Sequence, residues 1–416
     1  MREMEPSSME WIGNIPLSWK VMPNKYLMRK KKEICPVYNG EDILSLTMKG
    51  VIVRDLDAGG KMPASFDGYQ RLEPGNLLMC LFDIDVTPRC IGLIKQAGLS
   101  SPAYSQFVLS NGADAAYYCY YYTMLDNDKT LLHLAKNLRH SLTEDQLGAI
   151  PVIVPPTDEQ CRIADFLDAK CAEIDALTAD IQTQIDTLEQ YKRSVITETV
   201  TKGLNPDVDM KNSGIEWVGA IPVHWSIHPV YTYFGERKNK NNFGREDNLL
   251  SLSYGRVIRK DINTSDGLLP ESFNTYNIVE AGDIIIRPTD LQNDKRSLRT
   301  GLVKEHGIIT SAYIDLCPLK QVDSRYFHFL LHAYDVMKVF YNMGNGVRQG
   351  LNYSEFSRLM VFEPPYEEQV AMADYLETKV TEVDAIIEQK KEQMAVLDAY
   401  KRSLIFEYVT GKKEVI

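Results

Sequence analysis

The sequence predicts two α/β (α+β) domains in tandem, each followed by a long α-helix. Residues 155–160, Pro-Pro-Thr-Asp-Glu-Gln, return as residues 364–369, Pro-Pro-Tyr-Glu-Glu-Gln, at an offset of 209 positions (364 − 155). A run without glycine or proline follows each copy, has apolar residues every seven positions, and contains Tyr-Lys-Arg-Ser near its end, at Tyr191 and Tyr400. A repeat this large indicates one duplicated unit of globular domain and helix, not a solenoid.

The two runs are predicted to be long helices, each with a coiled-coil seam. The prolines and the acidic residues after them suit the first turn of a helix. One line of seven-residue spacing contains Leu167, Ile174, Ile181, Leu188 and Val195, and in the second copy Leu376, Val383, Lys390, Leu397 and Leu404. The other line contains Ile163, Lys170, Leu177, Gln184 and Tyr191, and in the second copy Met372, Lys379, Ile386, Gln393 and Tyr400. Two such lines on one helix predict a coiled-coil seam. The alternative is two ordinary core helices. It is disfavoured because about 40 helical residues span roughly 60 Å, a length that is rare for a helix in a globular core.

Length and composition indicate a protein with several cores and no membrane span. The chain has 416 residues, 44% of them hydrophobic, which suits two or three domains. No run of 18 apolar residues occurs, so no membrane-spanning helix is predicted. The seven cysteines form neither a Cys-x-x-Cys motif nor a Cys/His cluster. This pattern predicts reduced thiols in the cytoplasm and no zinc site.

The net charge of −11 is concentrated in the two predicted helices. Residues 158–190 carry nine acidic and two basic residues, and residues 366–393 carry eight acidic and three basic residues. The rest of the chain is therefore close to neutral and contains basic clusters. We expect the acidic helix faces to point towards solvent or a partner protein, away from any phosphate backbone.

The globular parts combine short strands with short helices. Gly75 and Gly282 stand where turn glycines precede apolar strands. Candidate strands are residues 77–81, 90–95, 105–109, 150–154, 283–287, 301–305, 313–317 and 359–362, and candidate short helices are residues 129–138 and 326–337. A polar linker with Asn205-Pro206 and Asn212-Ser213-Gly214 separates the first long helix from the second domain.

A search for catalytic motifs finds none that is convincing. The chain has no phosphate-binding GxxxxGK[ST] loop, no GxGxxG and no GxSxG. Residues 206–211 hold two aspartates and a lysine, as a nuclease would require, but within a linker rather than on a strand. Residues 363–366, Glu-Pro-Pro-Tyr, resemble an amino-methyltransferase loop but begin with Glu, and the Pro-Pro pair is better explained as the helix entry. We therefore predict no catalytic site in this chain.

The remaining signals concern nucleic-acid recognition. Basic clusters lie at residues 25–32, 237–242 and 287–299, and Arg139 and Arg348 align at the 209-residue offset within polar turns. Basic side chains neutralise phosphates, and Arg, Gln and Asn can read base edges. The predicted DNA contacts are Arg29, Lys30, Lys31, Arg89, Arg139, Lys238, Arg287, Lys295, Arg296, Arg299, Arg348 and Gln349. Solvated charge or local salt bridges are the alternative for each.

At these residues the chain resembles the specificity (S) subunits of type I restriction-modification systems. The motifs are residues 213–219 (Ser-Gly-Ile-Glu-Trp-Val-Gly) with Ile221-Pro222 and Trp225, both Pro-Pro-x-x-Glu-Gln entries, both Tyr-Lys-Arg-Ser endings, residues 203–206 and residues 348–353. Their order and duplication are specific, and they extend over essentially the whole chain. One departure is that residues 139–143 read Arg-His-Ser-Leu-Thr where the second half has Arg-Gln-Gly-Leu-Asn.

The resemblance implies a DNA-reading scaffold for host defence, without catalysis of its own. It implies target recognition domains at residues 1–155 and 213–363, spacer helices at 156–200 and 364–411, and a linker at 201–212. The helices would pair antiparallel. Expected partners are double-stranded DNA and two methyltransferase (M) subunits, with restriction (R) subunits left open; S-adenosylmethionine and ATP/Mg would belong to those partners. The alternatives are a protein-binding scaffold with twin domains and an enzyme with an unrecognised site.

Overall fold

The computed structural model describes residues 2–57, 63–87, 89–135, 140–263, 272–289, 291, 298–341, 343 and 350–415. The chain divides into two compact units, and neither unit coincides with one sequence repeat. Unit 1 comprises Met1–Ile181 with Lys391–Ile416, and unit 2 comprises Gln182–Lys390. Each unit therefore contains one globular domain together with segments of both long helices.

Unit 1 has short strands followed by three short helices and the start of a long one. Its strands are β1 (Met4–Pro6), β2 (Asn14–Pro16), β3 (Lys20–Pro23), β4 (Met28–Lys31), β5 (Leu44–Thr47), β6 (Gly50–Val53), β7 (Gln70–Leu72), β8 (Leu77–Met79), β9 (Ile91–Leu93), β10 (Gly98–Ser100), β11 (Ser105–Leu109) and β12 (Pro151–Val154). Its helices are α1 (Ala115–Asn127), α2 (Thr130–Leu134), α3 (Glu144–Ala149) and the first part of α4 (Thr157–Lys202).

Unit 2 repeats this order of elements, except that α2 has no helical counterpart among its described residues. Its strands are β13 (Met210–Asn212), β14 (Ala220–Pro222), β15 (Ser226–Pro229), β16 (Phe234–Glu236), β17 (Leu250–Ser253), β18 (Arg256–Arg259), β19 (Asn277–Val279), β20 (Ile284–Ile286), β21 (Thr300–Leu302), β22 (Gly307–Ile309), β23 (Ile314–Pro318) and β24 (Met360–Glu363). Its helices are α5 (Ser324–Val336), α6 (Tyr353–Phe356) and the first part of α7 (Tyr366–Val409). The predicted mixed α/β fold with two long helices is confirmed. The predicted linker, however, ends in a strand, β13.

The same antiparallel sheet forms the core of each unit. Its strand order is β4-β11-β8-β9 in unit 1 and β16-β23-β20-β21 in unit 2. The inner strands β8 and β20 are buried along their whole length, which explains their continuous apolar sequences. Gly75 and Gly282 precede them with φ of 86° and 96°, a backbone conformation that glycine adopts without strain.

The repeated Pro-Pro-x-x-Glu-Gln motif joins each long helix to its domain. In unit 1 the Gln160 amide donates to the Pro155 carbonyl at 2.7 Å, and its oxygen accepts the backbone N–H of Asp114 at 2.8 Å. Asp114 is the N-cap of α1, where its side chain accepts the Tyr117 N–H. Gln369 makes the same two kinds of contact in unit 2. The glutamine therefore fixes the start of the long helix against the N-terminus of a short helix in the same domain, α1 or α5.

Each unit also holds the C-terminal end of the long helix from the other repeat. The Tyr117 hydroxyl donates to the Val409 carbonyl at 2.8 Å in unit 1, and Tyr326 donates to the Val200 carbonyl at 3.3 Å in unit 2. These bonds satisfy carbonyls that a helix C-terminus leaves without an intrahelical partner. This exchange of helix ends explains why the compact units cut across the sequence repeats.

The burial along α4 and α7 corrects one of the two predicted seam lines. On the first line, Leu167, Ile174, Leu376 and Val383 are buried, and Ile181, Leu188 and Leu397 are half-buried. On the second line, the predicted seam residue Ile386 is 43% exposed, whereas its neighbour Ile387 is 2% exposed. Ile163 and Met372, the first residues of this line, are buried, but after them the seam shifts by one residue and uses Cys171, Thr178, Ile185 and Lys192 in α4 and Val380, Ile387, Met394 and Lys401 in α7. The assignment of Ile386 to the seam is wrong.

Candidate nucleic-acid interface

A basic segment lies on an outer strand of the sheet in unit 1. β4 is the first strand in the sheet order, and its residues Arg29 and Lys30 are exposed while Lys31 is half-buried. Lys30 lies 3.4 Å from the Glu144 carboxylate, and Lys31 pairs with Glu73. Exposed ion pairs of this kind are weak. Arg29 and Lys30 are therefore placed to exchange local contacts for phosphates.

In the corresponding segment of unit 2, one basic residue is held in an ion pair and the next is accessible. Arg237 Nε and Nη2 donate to the two carboxylate oxygens of Asp283 at 2.7 and 3.0 Å, which is the bidentate geometry that guanidinium favours. The predicted contact Lys238 is exposed and lies 2.8 Å from Glu236. Of this pair, Lys238 is the residue that a phosphate could reach.

A buried carboxyl pair lies beneath this segment. Asp315 on β23 is 1% exposed, and among the described residues neither of its carboxyl oxygens has a hydrogen-bond partner. Burial and the nearby Asp283 carboxylate raise the pKa of Asp315 to about 8, against a smaller opposing effect of Arg237. Asp315 is therefore largely protonated at neutral pH. The corresponding position in unit 1, 209 residues earlier, is the neutral Gln106.

The prediction that Arg299 contacts DNA is wrong. The residue is fully buried; Nε donates to the Tyr341 hydroxyl at 2.9 Å, and Nη1 donates to the Thr289 carbonyl. Its backbone N–H donates to Asp335, as the N–H of Cys90 donates to Asp126 in unit 1. A guanidinium enclosed in this way stabilises the start of β21 and cannot bind a phosphate here.

The remaining predicted DNA contacts are half-buried or fall outside the described residues. Arg89 and Arg287 are half-buried, and Arg89 Nη1 lies 3.4 Å from the Thr123 hydroxyl. The predicted contacts outside the described residues are Arg139, Lys295, Arg296, Arg348 and Gln349. All of these assignments remain predictions.

Each unit presents a surface hairpin that was not predicted from the sequence. β5 pairs with β6 in unit 1 and β17 with β18 in unit 2. Each hairpin packs over a glycine of the sheet: a Cβ on Gly301 would lie 2.5 Å from Leu252 Cδ1, and one on Gly92 would lie 2.8 Å from Leu46 Cδ1. The signal that could have identified it was the repeated Leu-Ser-Leu at an offset of 206 residues.

The tip of the unit 2 hairpin is unusual for its exposure. Tyr254 is 89% exposed and has φ of 47°, a conformation rare for an aromatic residue. Arg256 in β18 pairs with Asp384 of α7, and Arg259 with Glu305. Aromatic and basic side chains held on one rigid hairpin are suited to stacking and to phosphate contact.

A second surface lies on the long helices. In unit 1, Leu177 of α4 and Tyr400 of α7 are each 53% exposed, near the Asp175–Lys401 ion pair at 2.6 Å. In unit 2, Tyr191 and Ile386 occupy the equivalent positions and are also exposed. These four residues are the exposed apolar members of the second predicted seam line. We call Leu177/Tyr400 and Tyr191/Ile386 the two apolar patches.

Other classes of site receive no support from the described part of the chain. Its His, Cys, Asp and Glu side chains form no group of three or more that could hold a metal ion. None of its helices combines the length and apolarity needed to cross a membrane. Burial lowers the pKa of His328 to about 3 and that of His332 to about 4, so both imidazoles are neutral at pH 7.

Comparison with known proteins supports the predicted resemblance. The chain is 24% identical over 281 residues (66% of its length) to the putative type I restriction enzyme MjaX specificity subunit of Methanocaldococcus jannaschii. It is 23% identical over 285 residues (64% of its length) to the type I restriction enzyme MjaVIII specificity subunit of the same organism. The chain spans 62% and 63% of the lengths of these relatives. No protein-family model matches it.

The fold is also that of a solved protein. A chain from a structural study of the assembly and conformational transition of the type I restriction-modification system superposes with a TM-score of 0.69. The two chains are 12% identical, and the match covers 96% of this chain and 99% of the other. The predicted resemblance to type I specificity subunits is confirmed.

Proposed function

We propose that this relative of the type I specificity subunits is the DNA-reading, non-catalytic subunit of a cytoplasmic type I restriction-modification complex. The observation that carries the proposal is the pair of equivalent units, each with accessible basic side chains and a rigid surface hairpin. The similarity to specificity subunits supports the same role. The chain's overall negative charge does not oppose it, because that charge lies on α4 and α7.

The duplication favours a bipartite DNA target. Two units with the same strand order, each with its own basic segment, would each read one half-site. Their hairpin tips differ, with Met48 in unit 1 and Tyr254 in unit 2, so the two half-sites need not be identical. We infer an unread gap between the half-sites whose length depends on α4 and α7.

The contacts between α4 and α7 within each unit favour an antiparallel coiled coil. Lys401 meets Asp175 in unit 1, whereas in unit 2 Lys390 meets Gln184 and Lys192 meets Asp384 at 2.8 Å. The residue numbers of the α7 partners decrease as those of α4 increase, which is the pattern of antiparallel helices. Cys171 and Ile185 supply apolar seam positions, and the half-buried lysines can fix register.

The two apolar patches are proposed to bind one methyltransferase subunit each. Exposed aromatic and aliphatic residues on an acidic helix pair suit a partner helix with an apolar face and a basic rim. S-adenosylmethionine, and ATP with Mg²⁺ where restriction subunits join, would then be bound by those partners. This chain would supply the DNA sequence recognition and the scaffold.

The decisive experiment is a domain exchange. Replacing residues 213–363 with the equivalent domain of another specificity subunit should change one half-site of the methylated target and leave the other unchanged. Methylome sequencing of cells carrying each version reads the result directly. A continuous target, or a change in both halves, would contradict independent reading by two units. Binding to protein without salt-dependent DNA binding would favour the twin-domain protein scaffold.

The β4 segment yields a prediction about phosphate contacts. The double variant Arg29→Ala/Lys30→Ala should weaken DNA binding on all sequences and lower the slope of log affinity against log salt by about two, one for each phosphate released. The matched control is Arg162→Ala/Lys170→Ala, which removes two basic residues from the acidic helix α4. Fluorescence anisotropy across a salt series measures both. Equal slopes for the two variants would remove β4 from the interface.

The apolar patches yield a prediction about stoichiometry. Tyr191→Ser/Ile386→Ser should abolish one of two methyltransferase binding sites, because it removes the proposed contact residues. The fold should be retained, because both side chains are exposed. Leu177→Ser/Tyr400→Ser should abolish the other site. Val396→Ser is the control, since Val396 is 67% exposed on α7 but lies outside the patches. Native mass spectrometry would count the bound subunits, and two retained subunits in either double variant would refute the assignment.

A further inference from the structure

The first residues of unit 1 make a contact with the start of α4 that unit 2 repeats without its arginine. In unit 1, Glu159 accepts the Trp19 indole N–H at 2.9 Å and also pairs with Arg2. The Arg2 guanidinium lies over Trp19, 5.5 Å from the ring centroid. One glutamate at the start of α4 thus binds an indole and a guanidinium together.

Unit 2 repeats the glutamate and the indole but not the arginine. Glu368 at the start of α7 accepts the Trp225 indole N–H at 3.0 Å. The residue 206 positions after Arg2 is Val208. A cavity of about 210 Å³ lies between Val208 and Glu368. Its walls include Lys202, Val208, Pro222, His224, Glu368 and Met372.

We propose that this cavity is a binding site for a guanidinium group carried on an apolar stem. Val208, Pro222 and Met372 provide an apolar channel for the stem, and the Glu368 carboxylate receives the charge. The arrangement copies the contact that Arg2 makes within the same chain. The ligand is either an arginine side chain of another protein or a free alkylguanidine, because both carry the group that Glu368 recognises.

Two neighbouring groups set the conditions for binding. His224 Nε2 lies 2.7 Å from Glu368 Oε1 and competes for that oxygen, and Lys202 adds a positive charge to the wall. A planar guanidinium can share a carboxylate with another donor, as Arg2 shares Glu159 with Trp19.

The test is a titration of the full-length chain at pH 8 with n-butylguanidine, and with neutral n-butylurea as a control of the same shape. The readout is the indole N–H resonance of Trp225, assigned by substitution. A saturable shift with butylguanidine, and at least tenfold weaker binding of butylurea, is expected. A peptide Gly-Arg-Gly with blocked ends, tested alongside, shows whether a side chain on a backbone also enters. No saturable response to either guanidinium compound would overturn the proposal.

Three variants test whether the response comes from this site. Val208→Arg should fill the cavity from within and abolish the response of Trp225. Arg2→Ala should open the equivalent place in unit 1, so that the Trp19 indole resonance now responds to butylguanidine. Glu368→Gln should weaken binding at least tenfold. A wild-type response that persists in Val208→Arg would place the ligand elsewhere and overturn the assignment.

Discussion

Ile387→Asp is expected to destabilise the chain by about 3 to 5 kcal/mol, whereas Ile386→Asp should cost less than about 1 kcal/mol. The two residues are neighbours of the same type on α7, but Ile387 is buried and Ile386 is exposed. An aspartate at position 387 would place an uncompensated carboxylate in the apolar seam, where desolvation is costly. At position 386 the carboxylate would remain in water.

Chemical unfolding followed by far-ultraviolet circular dichroism measures this difference, because α4 and α7 contribute much of the helical signal. Comparable losses from the two variants, or a larger loss from Ile386→Asp, would restore the original seam assignment. Ile386→Asp should still weaken methyltransferase binding, because Ile386 belongs to an apolar patch. The pair of variants therefore separates stability from partner binding within one helical turn.

The seam shows what heptad spacing can and cannot establish. Both candidate second lines alternate three- and four-residue steps around the line of Leu167 and Ile174, so periodicity alone cannot choose between them. The line with Leu177 and Ile386 was predicted, although the other line, which holds Cys171, Ile185, Val380, Ile387 and Met394, is no less apolar. The structure uses the other line, on which Lys192 and Lys401 lie half-buried against Asp384 and Asp175. Long lysine stems can occupy such positions while their ammonium groups reach a carboxylate, a solution that depends on the partner helix.

Two further differences follow from tertiary context. α1 was not predicted because its run of tyrosines, from Tyr117 to Tyr122, has a high preference for strands. It lies 209 residues before α5, which was predicted, so the repeat itself carried the missing signal. The burial of Arg299 had no such signal, since its partners Asp335 and Tyr341 come together only in the folded domain.

Asp315→Asn is expected to stabilise unit 2 at alkaline pH. The groups facing Asp315 are Glu236 and Arg237 from the β16 segment and Asp283 from the turn before β20, with Cys317 on its own strand. The pKa of Asp315 is raised from 3.8 to about 8 by burial and by Asp283. The folded state therefore keeps a proton that the unfolded state releases, and the stability of the wild type falls as pH rises from about 4 to about 8.

The asparagine variant should lack this loss, because an amide replaces the protonated acid without titrating. At about 1.4 kcal/mol per unit of pKa shift, the gain above pH 8 is on the order of several kcal/mol, and near pH 4 the two proteins should be similar. Hydrogen exchange of β20 and β23 amides, corrected for the intrinsic rate, measures it within unit 2, and β8 and β11 of unit 1 serve as the internal control. Gln106, at the equivalent place in unit 1, shows that the fold accepts a neutral amide there, where it receives the Asn76 amide at 3.0 Å. A variant that tracks the wild type across this pH range would mean that Asp315 is ionised in the folded protein and that Arg237 neutralises both carboxylates.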